Sequence, residues 1–441
     1  MKSLKSPRFA GLVMMLILLA SCVRTPPFGT PVPPPPTLTT QPTLTPLPTA
    51  VLPLETAPTE IALALASTLS RLRIWLPPQF EISSDNPAAA LLAARLSEFS
   101  ARRDGVQIEV RTKDLTGEGG MLDALAAANA AAPLALPDLL LLPRATLESA
   151  ALKGLLYSFD GQSDAVSAED WYDYAQNLGR LQDSNFGIPF AGDALLLLYR
   201  PAAISDAPYD WVSALSLTTP LLFPAADEQA LFTLTQYLAA GGEIQDGEGR
   251  PTLDVNTLTQ VLTFYQNAEK SGLMPFWLTQ YTSDEQIWQL YNEGRAQMLI
   301  TRASRYLSVL PADTSAVPLF TPQGSQFTLA DGWIWAFANP QIERRLKAIE
   351  LAEFLTEGDF LARWVSLAGF LPPRSSALQG WSDPTLQRLI DQISRSAQVI
   401  PASDVLIALS PALRHATLRV LKEQADPLTA SQEAFTRLSG R

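Results

Sequence analysis

The sequence predicts an α/β fold, a sheet of parallel strands wrapped by helices, and three observations carry that prediction. From residue 70 onward, short apolar runs alternate with segments of helical periodicity. One run, Leu139-Leu140-Leu141-Leu142, is apolar without interruption, as in a strand covered on both faces. No segment repeats at a fixed period, which argues against a solenoid or a propeller.

The elements follow in order. Leu72-Arg73-Ile74-Trp75-Leu76 reads as the first strand. Residues 88–100 form an amphipathic helix, with Leu91, Leu92, Leu96 and Phe99 at helical spacing. Gln107-Ile108-Glu109-Val110 is a second strand and 121–131 an alanine-rich helix. The leucine run after Asp138 is a third strand, stopped by Pro143. Phe186-Gly187-Ile188-Pro189-Phe190 then leads through Ala191-Gly192-Asp193 into a strand over 194–199. Helices are expected over 228–240, over 255–271 with Gly272 as carboxy cap, and over 286–293, followed by a strand over 296–301. Residues 331–338 are aromatic-rich and extended, and 342–356, 358–368 and 411–424 are helical.

Composition narrows the function. The chain has 441 residues, 47% of them hydrophobic, enough for two or three domain equivalents with real cores. One cysteine cannot form an intramolecular disulfide, and one histidine cannot furnish a histidine-rich metal site. A formal net charge of −12 would repel phosphate backbones, so nucleic acid is not an expected partner.

Proline and the cysteine cluster at the amino end. Lys2, Lys5 and Arg8 form a positive start, 11–20 is an apolar run, and Leu19-Ala20-Ser21-Cys22 closes it with small residues. The run is about half the roughly 20 residues that span a bilayer, so it reads as a secretory signal over 1–21 rather than a membrane helix. The segment resembles bacterial lipoprotein signals. That resemblance implies a diacylglyceryl thioether on Cys22, cleavage before it, and a mature protein anchored through lipid outside the cytoplasmic membrane. Residues 22–69 would be the tether. Between 25 and 60 it is mainly proline and threonine, which favours polyproline II and a reach on the order of 100 Å.

The order of the later pieces resembles the family 1 extracellular solute-binding proteins, the maltose-binding type of receptor for ATP-binding cassette importers. The comparison rests on the Trp75 strand and the helix ending in Phe99, then Gly105-Val106-Gln107-Ile108-Glu109-Val110. It continues with Pro137-Asp138-Leu139-Leu140, Lys153-Gly154-Leu155-Leu156-Tyr157-Ser158-Phe159-Asp160, Gly187-Ile188-Pro189-Phe190 and Leu198-Tyr199-Arg200, where the family more often has asparagine at Arg200. Asn292-Glu293-Gly294-Arg295-Ala296-Gln297-Met298, Asp331-Gly332-Trp333, Ala352-Glu353-Phe354-Leu355-Thr356 and Gly369-Phe370-Leu371-Pro372-Pro373-Arg374 complete it.

The resemblance implies a periplasmic-binding-protein-like (type II) architecture: two α/β lobes, a hinge crossed more than once, and a ligand cleft between them. Lobe one would comprise 70–191 and 316–370, lobe two 194–312 and 373–441, with crossings near 191–193, 312–317 and 370–374. The implied function is capture of a sugar or oligosaccharide by hinge closure and its delivery to membrane permease subunits, by a monomer without cofactor or metal.

Sugar recognition needs an aromatic face and planar polar groups that each engage two hydroxyls. Trp75, Asp193, Arg302, Arg305, Asp331, Trp333 and Arg374 stand at strand ends or crossings facing the expected cleft. Trp333 leads because Asp331-Gly332 precedes it; Tyr306 and Trp381 are further aromatic candidates. Each has a plainer reading: Trp75 as core, Asp193 as a turn residue, the arginines as surface ion pairs. His415 reads as structural. No catalytic set emerges, since a serine triad needs a histidine base beside a Gly-x-Ser-x-Gly elbow and none is present. A receptor for a polyamine or an organic anion is the alternative, and a surface glycoside hydrolase a more distant one.

Overall fold

The computed structural model describes residues 70–103 and 105–440. The expected signal sequence over 1–21, Cys22 and the tether over 22–69 lie outside the described residues.

Among the described residues eleven strands are formed: β1 (Ser70–Leu76), β2 (Val106–Thr112), β3 (Leu139–Pro143), β4 (Arg180–Leu181), β5 (Ser184–Asn185), β6 (Gly187–Tyr199), β7 (Leu221–Leu222), β8 (Met298–Arg302), β9 (Ser315–Val317), β10 (Thr328–Phe337) and β11 (Ala397–Val399). β4 and β5 pair only with each other. The other nine make one sheet in the order β2-β1-β3-β10-β6-β8-β7, with β11 on β10 and β9 on β6. The run β2-β1-β3 is parallel, as strands joined by crossover helices must be. Beyond it the direction reverses. β10 is antiparallel to both β3 and β6, and β6 is antiparallel to β8, so the sheet is mixed. These neighbours come from distant parts of the chain, where no crossover helix dictates a parallel partner.

The two pieces expected around 186–199 are one strand. β6 is buried along all but its last residue, so its backbone groups must find partners continuously. It finds β10 through Ala194, β8 from Leu195 and β9 from Leu197, so the ladder changes partner between Ala194 and Leu195.

Local chemistry explains several helix ends. The helix Pro87–Ala101 has Asn86 as N-cap, its side chain accepting from the Ala88 amide, with Pro87 in the first turn. The helix expected from 228 begins at Leu231, because Ala230 is left-handed with φ 49°. The helix expected from 411 begins earlier, and Pro411 lies inside Ser403–Glu423. An internal proline costs about 3 kcal/mol. Here the buried face of Val405, Leu409, Leu413, Ala416 and Val420 continues across it and outweighs that cost.

Two helix layers result. Arg144–Leu152 packs on β3 and β10, whereas Ser403–Glu423 packs against Leu231–Ala239, Val255–Ser271 and Pro427–Ser439.

Candidate functional site

The register of β6 and β10 sets Asp193 directly opposite Asp331, Gly192 opposite Gly332, and Ala191 opposite Trp333. Side chains alternate along a strand, so Asp331 and Trp333 share one sheet face with Asp193. The other face is closed by the helix Asp173–Leu178. A Cβ on Gly192 would lie 2.1 Å from the Tyr174 hydroxyl oxygen, and one on Gly332 would lie 2.6 Å from Leu178 Cδ1. Glycine at both positions is what lets that helix seat against the strands.

The two carboxylates differ in their partners. Asp193 is 9% exposed and accepts from the Ser304 amide at 2.9 Å, the Ser304 hydroxyl at 2.6 Å and its neighbour Ala194 N at 3.0 Å. Ser304 belongs to the helix Ala303–Val309, directly after β8. Asp331 is half-buried and, among the described residues, accepts only from the adjacent Gly332 amide at 2.7 Å. Burial raises the pKa of both. The positive charge of Arg302 opposes the rise at each, Ser304 opposes it at Asp193, and Gly332 N–H and Arg144 oppose it at Asp331. Arg302 closes β8 opposite Leu195, close enough to serve both acids.

An aromatic group adjoins the acids. Trp333 is half-buried and meets Phe80 edge to face, with ring centres 4.8 Å apart. Phe80 stacks on Phe370 at 5.7 Å and on Trp364 at 5.9 Å. Acceptor oxygens beside an aromatic edge, on a face reached from the half-buried side of β10, suit a ligand with both hydroxyl and C–H surfaces.

The structure thus brings together Asp193, Asp331, Arg302 and Trp333. It places the other expected residues elsewhere. Trp75 is 3% exposed in β1, paired with both β2 and β3, with the Lys113 ammonium 5.1 Å above its ring. Arg305 is committed to Asp284 at 2.6 Å and Glu285 at 2.7 Å. Arg374 grips Asp170 with two bonds of 2.8 and 2.7 Å and donates to the Thr356 carbonyl at 3.0 Å.

Four residues that the sequence reading leaves out adjoin the site. Ser304 holds Asp193, and Phe80 carries the aromatic contact. Arg144 and Glu148, both under 10% exposed, place a charge pair within electrostatic reach of Asp331. Their spacing, four apart on a helix straight after a buried strand, was the available signal.

Tyr306 and Trp381 come together in a cavity of about 570 Å³, with Asp383, Ser366 and Leu386 also on its wall. It has no lining cation, and both rings are more than nine-tenths buried, so they offer little face for stacking. We therefore place the candidate site at the carboxylate pair. Among the described residues no group of three or more His, Cys, Asp or Glu could hold a metal ion.

Residues 94–389 match a family described as bacterial extracellular solute-binding protein. No curated protein matches the chain in sequence. Among solved structures, the cyclic alpha-maltosyl-1,6-maltose binding protein from Arthrobacter globiformis superposes with a TM-score of 0.69 at 17% identity, over 84% of this chain and 98% of that one. The sugar-binding protein MalE from Xanthomonas citri gives 0.68 at 20% identity, over 84% and 97%. Maltose-bound MalE from Listeria monocytogenes gives 0.68 at 14% identity, again over 84% and 97%. At these identities the likeness establishes the fold, the type II periplasmic-binding-protein-like architecture.

Proposed function

The chain belongs to the bacterial extracellular solute-binding proteins, and from that premise we propose that it is a lipid-anchored receptor that closes over a sugar or oligosaccharide and delivers it to the permease of an ATP-binding cassette importer. The observation that carries the reading is the Asp331–Asp193 pair beside Trp333. Asp331 has acceptor capacity that no described residue uses, in a half-buried position where a hydroxyl donor would find little competing water. The solved structures of this fold include proteins bound to maltose and to tagatose, which supports a carbohydrate. Closure would move lobe one, 70–191 and 316–370, against lobe two, 194–312 and 373–441. Asp193 sits on β6 next to where its pairing passes from β10 to β8, with Asp331 opposite it on β10.

A thermal-unfolding screen of the mature chain against maltose, maltotetraose, mannobiose and tagatose tests this. A ligand at a hundred times its Kd stabilises by about 2.7 kcal/mol. With an unfolding entropy of about 2.1 cal/mol/K per residue, that shifts Tm by roughly 3–4 °C. A shift from at least one sugar is expected. Silence toward all sugars, with a response to putrescine, would replace the sugar reading by a polyamine one, which the paired carboxylates also favour.

The lipid anchor has its own test. Cys22→Ser is expected to move the protein from the membrane fraction to the soluble one, because several acyl chains hold stably where none holds at all. An unchanged distribution would remove the anchor from the proposal.

A further inference from the structure

We infer that Glu148 is a positioning residue that latches the helix Ser403–Glu423 onto the helix layer packed on β3 and β10 and thereby sets how long the receptor stays closed. The inference rests on the cleft reading above. Arg144–Leu152 belongs to the helix layer on β3 and β10, whereas Ser403–Glu423 belongs to the layer built on Leu231–Ala239, Val255–Ser271 and Pro427–Ser439. Glu148 bridges them. Its Oε2 accepts from the Ser403 amide at 2.8 Å and from the Ser403 hydroxyl at 2.5 Å.

The long helix needs that bond. Its N-cap is Ala402, which has no side chain able to accept, and although Asp404 takes the Val405 amide, the Ser403 amide finds its acceptor on another element. Glu148 supplies it, with the negative charge that a helix amino end favours. The carboxylate is 4% exposed, and Arg144, one turn earlier, pairs with it, Nε 2.9 Å from Oε1. Arg144 is fixed in turn by donating to the Asn177 and Leu178 carbonyls, each at 2.7 Å. A rigid chain therefore runs from the segment before β4, through Arg144 and Glu148, to the helix end. Separating the two layers uncaps that helix and leaves the Arg144–Glu148 pair without its third partner. Glu148 also adds negative charge near Asp331, so one side chain ties the solute site to the closure contact.

The test compares Glu148→Ala and the equal-volume Glu148→Gln with wild type and with Ser149→Ala, whose exposed hydroxyl bonds only within its own helix. Small-angle scattering of the ligand-free mature chain and stopped-flow tryptophan fluorescence with maltose are the readouts. Glu148→Ala is expected to enlarge the ligand-free radius of gyration and raise the maltose off-rate about tenfold, within the usual range of coupling energies. The on-rate should stay within about twofold of wild type, Glu148→Gln should fall between, and Ser149→Ala should match wild type. Unchanged scattering in a folded Glu148→Ala protein would overturn the inference, even if its Tm fell. If wild type does not bind maltose, the solute assignment fails on that count, while the scattering comparison still decides the latch.

Discussion

Gly192→Val is expected to cost about 3–4 kcal/mol of folding stability, beyond the usual 1–3 kcal/mol of overpacking. At about 2.1 cal/mol/K of unfolding entropy per residue, this is a fall in Tm of roughly 4–5 °C, with more protein lost to aggregation. The first branching carbon would sit 2.1 Å from the Tyr174 hydroxyl oxygen and 2.7 Å from two of its ring carbons. Tyr174 cannot easily yield. It is 1% exposed, and its hydroxyl donates to the Pro372 carbonyl at 2.8 Å. Gly192 is also bonded to Leu371 in both directions, its amide donating at 2.9 Å and its carbonyl accepting at 2.8 Å. One methyl-bearing carbon therefore disturbs three segments: β6, the helix Asp173–Leu178 and the return of the chain at Leu371. Tyr174→Phe in the same protein should restore part of the loss, since it removes the nearest atom. Gly247→Ala, with nothing within 4 Å of its added carbon, is the control and should stay within about 0.5 kcal/mol of wild type. Calorimetry of the three proteins decides the point. A Gly192→Val melt equal to wild type would mean that the junction is not packed as described.

How far the sequence reveals this architecture depends on whether the deciding force is local. β1, β2 and β3 were legible because each is a short extended run, apolar or alternating, separated from the next by a periodic helix, a pattern that favours parallel pairing. β10 beside β6 was not legible, since nothing local tells a strand near residue 330 that its partners lie near 140 and 190. Pro411 misled for the same reason: its local signal is a helix start, and a buried face shared with distant helices overrides it. The site divides along the same line. Asp193 and Asp331 stand out as acids beside glycine in apolar strands, yet their opposition is a matter of register. Arg302, Arg305 and Arg374 look alike in sequence. What separates them is the position of Asp284, Glu285 and Asp170, fixed only by the tertiary fold. Trp75 looked like a strand-end residue until the sheet order put β1 between two neighbours, and the turn that follows presents Phe80 to Trp333 instead.

Asp331→Asn and Asp193→Ala are expected to separate binding from folding. Among the described residues Asp331 has no donor beyond its own neighbour, so its oxygens can accept from a solute. Hydrogen bonds to charged groups are worth about 1.5–3 kcal/mol, so Asp331→Asn should weaken affinity for the sugar giving the largest thermal shift by roughly 10–100-fold. Its effect on stability should have the opposite sign. Burial holds the Asp331 carboxyl above its ordinary value of 3.8, so the native state keeps that proton more tightly than the unfolded chain. The favourable contribution is full below the unfolded value and is lost as pH rises through the native one. At pH 7 the ionised form is a net cost, and Asp331→Asn should melt at or above wild type there, the advantage shrinking toward pH 4. Burial pushes Asp193 in the same direction, so charge alone would predict the same gain. Two bonds decide otherwise. Without Asp193 the Ser304 amide and hydroxyl lose their acceptor in a half-buried place, a cost of about 2 kcal/mol that exceeds the relief from removing a charge steadied by Arg302. Asp193→Ala should therefore lose stability at every pH as well as affinity. Parallel melts at pH 4 and pH 7 with a binding titration on each variant separate the two roles. Equal destabilisation by both substitutions would mean that Asp331 is a structural acid like its partner, and the solute would have to be sought elsewhere on this face.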